Sequence, residues 1–155
     1  MGGYPPKLNP KDSNHVMIRK HFKQMFYNLQ YTMPCIFCRE SFKQFSKELP
    51  IEPFLKGRIE LMYWLYLVRD KVNNKLIKQE QQCFSDEKKK LLLKLNKKQV
   101  TDKEYRSKLN ALKKETIITK PSPPFIDILV KYEAFRAKCS KKSKTCSLPK
   151  KRKLK

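Results

Sequence analysis

The sequence predicts an all-α protein, and three observations carry that expectation. Only three glycines occur in 155 residues, two of them at Gly2 and Gly3. Leucine and lysine, both good helix formers, dominate the rest of the chain. Apolar residues recur at three- and four-residue steps in one segment after another, which is the period of a helix rather than a strand. At this length one domain with extensions is expected. A formal charge of +23, from 37 Lys+Arg against 14 Asp+Glu, and a hydrophobic fraction of 39% indicate that part of the chain lies outside a packed core.

Residues 1 to about 14 carry three prolines and read as a loop. From His15 to Met33, Val16, Ile18, Phe22, Met25, Phe26 and Leu29 recur at helical steps and predict an amphipathic helix. Pro34 interrupts it. Cys35 to Leu49 predicts a second helix with Phe37, Phe42 and Phe45 in its core. Pro50 and Pro53 bound a linker, and a third helix is expected from Gly57 to Lys78 with Ile59, Leu61, Met62, Leu65, Tyr66 and Val68 facing inward. After Cys83 the character turns lysine-rich. Residues 86–120 predict two short helices joined near Val100, the second opened by a Thr101/Glu104 capping box. Pro121, Pro123 and Pro124 precede a last helix, Phe125 to Ala137, with Ile126, Leu129, Val130, Tyr132 and Phe135 available for packing. Cys139 to Lys155 holds eight basic residues and no acidic ones, so it is expected to be disordered. No internal repeat is present.

No apolar h-region opens the chain and no run approaches 18 apolar residues, so neither a secretory signal nor a membrane span is expected. In the intracellular setting this implies, thiols are kept reduced, and five cysteines point to catalysis or metal binding rather than to structural staples. The charge excess has two readings. Spread over helix faces it keeps the chain soluble, whereas at the C-terminus it favours anionic partners such as nucleic acid.

The stretch Tyr-Thr-Met-Pro-Cys-Ile-Phe-Cys-Arg-Glu-Ser-Phe, Tyr31 to Phe42, sets two cysteines three residues apart behind a proline. A zinc site would need two more ligands, and Cys83, Cys139, Cys146, His15 and His21 supply no second tight pair. A thioredoxin-like motif would follow a strand, but helices flank this pair. The remaining reading is a dithiol at a helix start. Pro34 suits the first helical turn, Cys35 and Cys38 lie one turn apart, and the helix N-terminus with Arg39 favours a thiolate. Spacing alone does not choose among the three.

A second motif bears on the choice. Tyr-Trp-Leu-Tyr-Leu-Val-Arg-Asp-Lys-Val-Asn-Asn-Lys-Leu, Tyr63 to Leu76, resembles the flavin-binding helix of the Erv/ALR sulfhydryl oxidases. That family also carries Pro-Cys-x-x-Cys at the start of an earlier helix. The resemblance covers roughly residues 15–83 and is closest in style to the oxidases encoded by large DNA viruses. It implies a four-helix-bundle-like core over residues 1–84 that binds FAD and is normally a homodimer. A Lys-rich helical extension over 85–138 and a basic tail over 139–155 would follow. Cys35 would take electrons from a substrate dithiol and Cys38 would pass them to the flavin, with oxygen as acceptor and hydrogen peroxide as product. Trp64, Val72, Asn73, Lys75 and Leu76 match the family pattern. Trp64 would pack near the flavin, Asn73 would hydrogen-bond it, and Lys75 and Lys78 would approach its phosphates. Arg69 replaces a family histidine and could stack on adenine, while Asp70 replaces an asparagine. Tyr66 stands where the family has a cysteine whose partner position falls on Cys83, which implies a free Cys83 thiol. The family's opening helix carries a G-x-x-x-W-x-x-x-H-like run, and this sequence starts near the Tyr-Pro turn that follows it, at Tyr4-Pro5; the expectation is either that this helix is absent or that the start is truncated.

Cys139 and Cys146 resemble the shuttle cysteines that these oxidases carry on a flexible arm, and Pro149 to Lys155 reads as a nuclear-localisation signal. The expected function is therefore an FAD-dependent thiol oxidase with protein dithiol substrates, virion proteins among them, acting in host cytoplasm or virion. No metal is expected on this reading. The alternatives are a basic helical module binding nucleic acid or zinc, and a degenerate oxidase that has lost its flavin.

Overall fold

The computed structural model describes residues 3–135, 138–139 and 146–147. Five α-helices account for most of it: α1 Ser13–Thr32, α2 Ile36–Glu48, α3 Arg58–Asn96, α4 Asp102–Thr116 and α5 Phe125–Phe135, with a 3-10 turn at Glu52–Phe54. The all-α expectation holds. None of the helices among the described residues is long and apolar enough to cross a membrane. The chain divides into two units, residues 1–68 with 123–155 and residues 69–122.

In the first unit α1 and α2 start where the sequence supplies a cap. Asp12 caps α1, its carboxylate accepting from the Asn14 N–H at 2.9 Å and the His15 N–H at 3.4 Å. The first turns thereby lose two of their orphan donors. α1 ends before Pro34, which disfavours helical backbone at Met33; Met33 takes φ −62°, ψ 136°. α2 then folds back against α1. The core they share with the start of α3 consists of Tyr4, Phe26, Ile51, Leu55, Leu61, Trp64 and Val68. Phe22, Leu29, Phe42 and Leu49 pack against its edge. α5 adds a fourth helical segment: the Phe125 ring lies 4.9 Å from Tyr63 and 5.4 Å from Tyr66, and the Tyr66 hydroxyl donates to the Pro123 carbonyl at 3.0 Å.

The N-terminal segment is part of this core. Tyr4 is 1% exposed and donates its hydroxyl to the Leu55 carbonyl at 2.8 Å. Burial pushes the Tyr4 phenol pKa up. The segment pairs with the chain ahead of α3, the Leu8 N–H donating to the Lys56 carbonyl at 2.8 Å and the Arg58 N–H to the Pro6 carbonyl at 3.4 Å. Gly57 permits that approach, since a Cβ there would stand 2.4 Å from the Pro6 carbonyl oxygen.

Several inward assignments are corrected. Phe37 is 74% exposed, Ile59 52%, Met25 49% and Val16 48%. At about 100° per residue, Phe37 points roughly 140° away from Phe42, and Ile59 points roughly 140–180° away from Leu61, Trp64 and Val68. Ile126 and Val130 of α5 are likewise exposed.

The second unit corrects the expected break after Cys83. α3 runs unbroken to Asn96, so the 84/85 boundary expected between core and extension falls inside a helix. The stretch contains no proline or glycine, and its Gln, Glu and Lys residues are good helix formers. The lysine-rich shift changes the solvent-facing chemistry without interrupting the backbone. α3 stops at Lys98, whose φ of 55° is left-handed, as helix ends often require. The Thr101/Glu104 capping box forms as expected, the Thr101 N–H donating to Glu104 Oε2 at 2.8 Å and the Glu104 N–H to Thr101 Oγ1 at 3.3 Å. Within the same unit Glu80 holds the segment after α4, accepting from the N–H groups of Ile118 and Thr119 at 3.0 and 2.9 Å and from the Thr119 hydroxyl at 2.5 Å. These bonds draw the Glu80 pKa down. The basic end, including Pro149–Lys155, lies outside the described residues.

Two outcomes test this packing. Gly57→Ala should lower stability by about 1–3 kcal/mol, as overpacking against backbone does, read as a lower urea midpoint at unchanged slope. Because the folded Glu80 pKa is depressed, its clamp contributes above the unfolded carboxyl pKa and is lost as pH falls through the folded value. Glu80→Ala at neutral pH should therefore speed amide exchange at Ile118 and Thr119 while sparing the first unit.

Candidate active site: a dithiol at the start of a helix

The turn between α1 and α2 spans three residues, and its geometry makes Cys35 the N-cap of α2. Cys35 has extended backbone (φ −85°, ψ 121°), and its sulfur accepts the Cys38 N–H at 3.3 Å. Pro34 therefore sits one position outside the cap rather than in the first helical turn. Capping normally falls to Ser, Thr, Asp or Asn; here the sulfur takes that place. A thiolate in this position gains from the partial positive charge of the helix N-terminus.

The Cys35 pKa is lowered, first by hydrogen bonding from Cys38, side chain and backbone, with smaller contributions from the Phe37 backbone and the Arg39 charge. Arg39 is fixed in place: its Nη1 donates to the Met33 carbonyl at 2.6 Å and reaches the Pro34 carbonyl at 3.5 Å. The same side chain thus ties the α1–α2 turn and keeps a cation near the sulfur. Cys35 and Cys38 are both exposed thiols, not joined to each other. The structure brings this predicted pair together at the start of α2, reachable from solvent.

Trp64 lies in the core of the first unit. It is 1% exposed, packed edge-on against Phe26 at 5.2 Å and Phe42 at 6.3 Å, and its Nε1–H donates to the Leu49 carbonyl at 2.9 Å. Leu49 is the C-cap of α2, fourteen residues and roughly 20 Å of helix rise from Cys35. Trp64 serves the core, and its N–H is committed there. Beside it opens a cavity of about 440 Å³, with Tyr27, Gln30, Lys43 and Lys47 on its walls. The Ser46 hydroxyl also lines it, buried and without a hydrogen-bond partner. Nothing in the sequence pattern singled out this cavity, because its walls come from three segments whose separate periodicities do not reveal where they meet.

The other cofactor candidates lie in the second unit, on α3. Arg69, Val72 and Asn73, at steps of three and four, share one face of the helix. Lys75 lies to its flank and Lys78 behind it. Arg69 and Lys78 are exposed, while Val72, Asn73 and Lys75 are half-buried. The Asn73 amide donates to Ser122 Oγ at 2.8 Å. Asp70, the acidic replacement in the motif, accepts from the Asn74 amide at 3.0 Å one turn further on. Cys83 is an exposed free thiol, in keeping with the loss of its expected partner at Tyr66. The backbone of Lys138–Cys139 (β1) pairs antiparallel with Cys146–Ser147 (β2), setting Cys139 opposite Cys146; their side chains lie outside the description.

A family model, that of the Erv1/Alr family, matches residues 3–105. The chain belongs to the Erv1/Alr family. Its members are known for sulfhydryl oxidase activity and generally bind FAD. No curated protein and no solved structure matches the chain.

The donor set fits that cofactor class. A planar cation at Arg69, an amide at Asn73 and an ammonium at Lys75 are the groups that stack on, hydrogen-bond to and neutralise a dinucleotide. Asp70, whose carboxylate would oppose the phosphates, is engaged by Asn74.

Because Cys35 is a cap, its replacements should separate stability from chemistry. Cys35→Ser keeps a good capping oxygen and should melt near wild type, whereas Cys35→Ala should melt a few degrees lower by circular dichroism. The cap contribution of the wild-type thiolate should be present above the unfolded thiol pKa of about 8.5. It should be lost as pH falls through the lower folded value.

Proposed function

We propose that this Erv1/Alr chain is an FAD-dependent thiol oxidase whose working groups are Cys35 and Cys38. The observation that carries the reading is the N-cap geometry of Cys35, which favours the thiolate, the form active in disulfide exchange. Membership of a family known for this activity supports it.

The protein half of the reaction is written with the residues present. With the pair oxidised, a substrate thiolate attacks Cys35 Sγ; the Cys35–Cys38 bond breaks, a mixed disulfide forms and Cys38 leaves as thiolate. The second substrate thiolate then attacks the substrate sulfur of the mixed disulfide. That releases substrate disulfide and leaves Cys35 as a thiolate stabilised by the α2 N-terminus and Arg39. Two electrons now reside on the pair, and the two substrate thiol protons pass to solvent. FAD, when bound, supplies the two-electron acceptor for the reduced pair and delivers those electrons to oxygen as hydrogen peroxide. Arg69, Val72, Asn73 and Lys75 would hold it. Cys139 and Cys146, set opposite each other, are proposed as the shuttle dithiol that reaches bulky protein substrates. A homodimer, usual for the family, is part of the same reading.

Purified full-length protein should be yellow and consume oxygen when dithiothreitol is added. Cys35→Ser and Cys38→Ser should each reduce that uptake to background, and Cys83→Ser should leave it intact. Colourless protein, or full uptake in both active-pair variants, would contradict the reading.

A further inference from the structure

Between the two thiols the chain carries Ile36 and Phe37, the first two residues of α2, and both face water. Phe37 is 74% exposed and Ile36 54%. Neither belongs to the core. Apolar side chains gathered around a reactive group, rather than scattered singly, mark a contact surface. Arg39 directs its guanidinium to the Met33 and Pro34 carbonyls, so the side chains lying between the thiols are hydrocarbon.

The chemistry of the site says what must rest there. A mixed disulfide with Cys35 brings sulfur to sulfur at about 2.05 Å and the two Cα atoms to roughly 4.4–6.8 Å. The residues on either side of a substrate cysteine are thereby carried onto the surface beside Cys35. We propose that Ile36 and Phe37 form an apolar collar that favours protein segments whose reacting cysteine is flanked by hydrophobic residues. The proposal rests on the thiol-oxidase reading and names the substrate class of that site. Phe37 acts here as a specificity-determining residue: its ring is spared from the core, and its backbone N–H, which supports the Cys35 sulfur, survives any substitution of the side chain.

The test uses disulfide exchange, which requires no flavin. Reduced full-length protein is mixed with short peptides whose single cysteine is capped as a disulfide with thionitrobenzoate. Attack by the Cys35 thiolate on the peptide sulfur breaks that bond, forms the Cys35–peptide disulfide and releases the coloured, low-pKa leaving thiolate. Two peptides are compared, one with Leu and Phe beside the cysteine and one with Ser and Gly. The protein variants carry Cys38→Ser, Cys83→Ser, Cys139→Ser and Cys146→Ser so that only Cys35 reports. The ratio of the two rates within one protein cancels any change in thiol reactivity.

The apolar peptide should react roughly ten-fold faster below saturation, equivalent to about 1.4 kcal/mol. Phe37→Ser should bring the ratio close to one, and Phe37→Leu should keep most of it. Equal rates in the parent protein, or an undiminished ratio in Phe37→Ser, would overturn the collar. Either result would leave the oxidase reading to its own test of flavin and oxygen uptake.

Discussion

One hydrogen bond fixes the frame in which the dithiol works: Trp64 Nε1–H to the Leu49 carbonyl at 2.9 Å. Leu49 closes α2, and Trp64 is the largest side chain in the core. A buried indole donor left without a partner costs about 1–3 kcal/mol, so the end of α2 is held where that carbonyl meets the ring. Phe42 and Phe26 pack edge-on against the same indole, which extends the anchor along α2 and across to α1. The helix is thus secured at its C-terminal end, while its N-terminal end projects the chemistry into solvent.

That division assigns opposite demands to the two ends. Packing wants apolar groups removed from water, whereas thiol exchange wants a sulfur that a bulky partner can reach. α2 meets both by placing Phe42, Phe45 and Leu49 toward the core and Cys35, Ile36, Phe37 and Cys38 beyond it. The exposed end is organised nonetheless. Pro34 enforces the extended backbone at Met33, the Cys35 sulfur takes the Cys38 N–H, and Arg39 binds the carbonyls that the turn leaves over. One N–H of the first turn of α2 and the carbonyls of the intervening turn are bonded by the same few residues that favour the thiolate.

Much of this was legible in the sequence, because prolines and caps are local. Pro34 placed the α1–α2 turn, Thr101 with Glu104 placed the start of α4, and the spacing of Cys35 and Cys38 behind the proline gave the dithiol. What failed was non-local. The lysine-rich shift after Cys83 suggested a boundary, yet no residue there breaks a helix, and α3 continues to Asn96. Hydrophobicity alone turns Phe37 inward, yet it stands at the start of α2, beyond the point where the core meets that helix at Phe42, Phe45 and Leu49. The commitment of Trp64 to Leu49, and the cavity beside it, depend on how three segments meet, which no single segment's periodicity records. The flavin-motif residues from Arg69 onward lie on α3, where the Asp70 carboxylate accepts from the Asn74 amide one helical turn away.

The account stands on the lowered pKa of the Cys35 thiol, drawn down first by hydrogen bonding from Cys38 and then by the Phe37 N–H of the first turn of α2 and the Arg39 charge. The direct measurement is the pH dependence of Cys35 alkylation, followed by mass spectrometry on the reduced full-length chain and on Arg39→Met. The wild-type midpoint should fall below the ordinary thiol value of about 8.5, and Arg39→Met should move it upward, because removing a nearby cation disfavours the anion. A wild-type midpoint at or above the ordinary value would contradict the account.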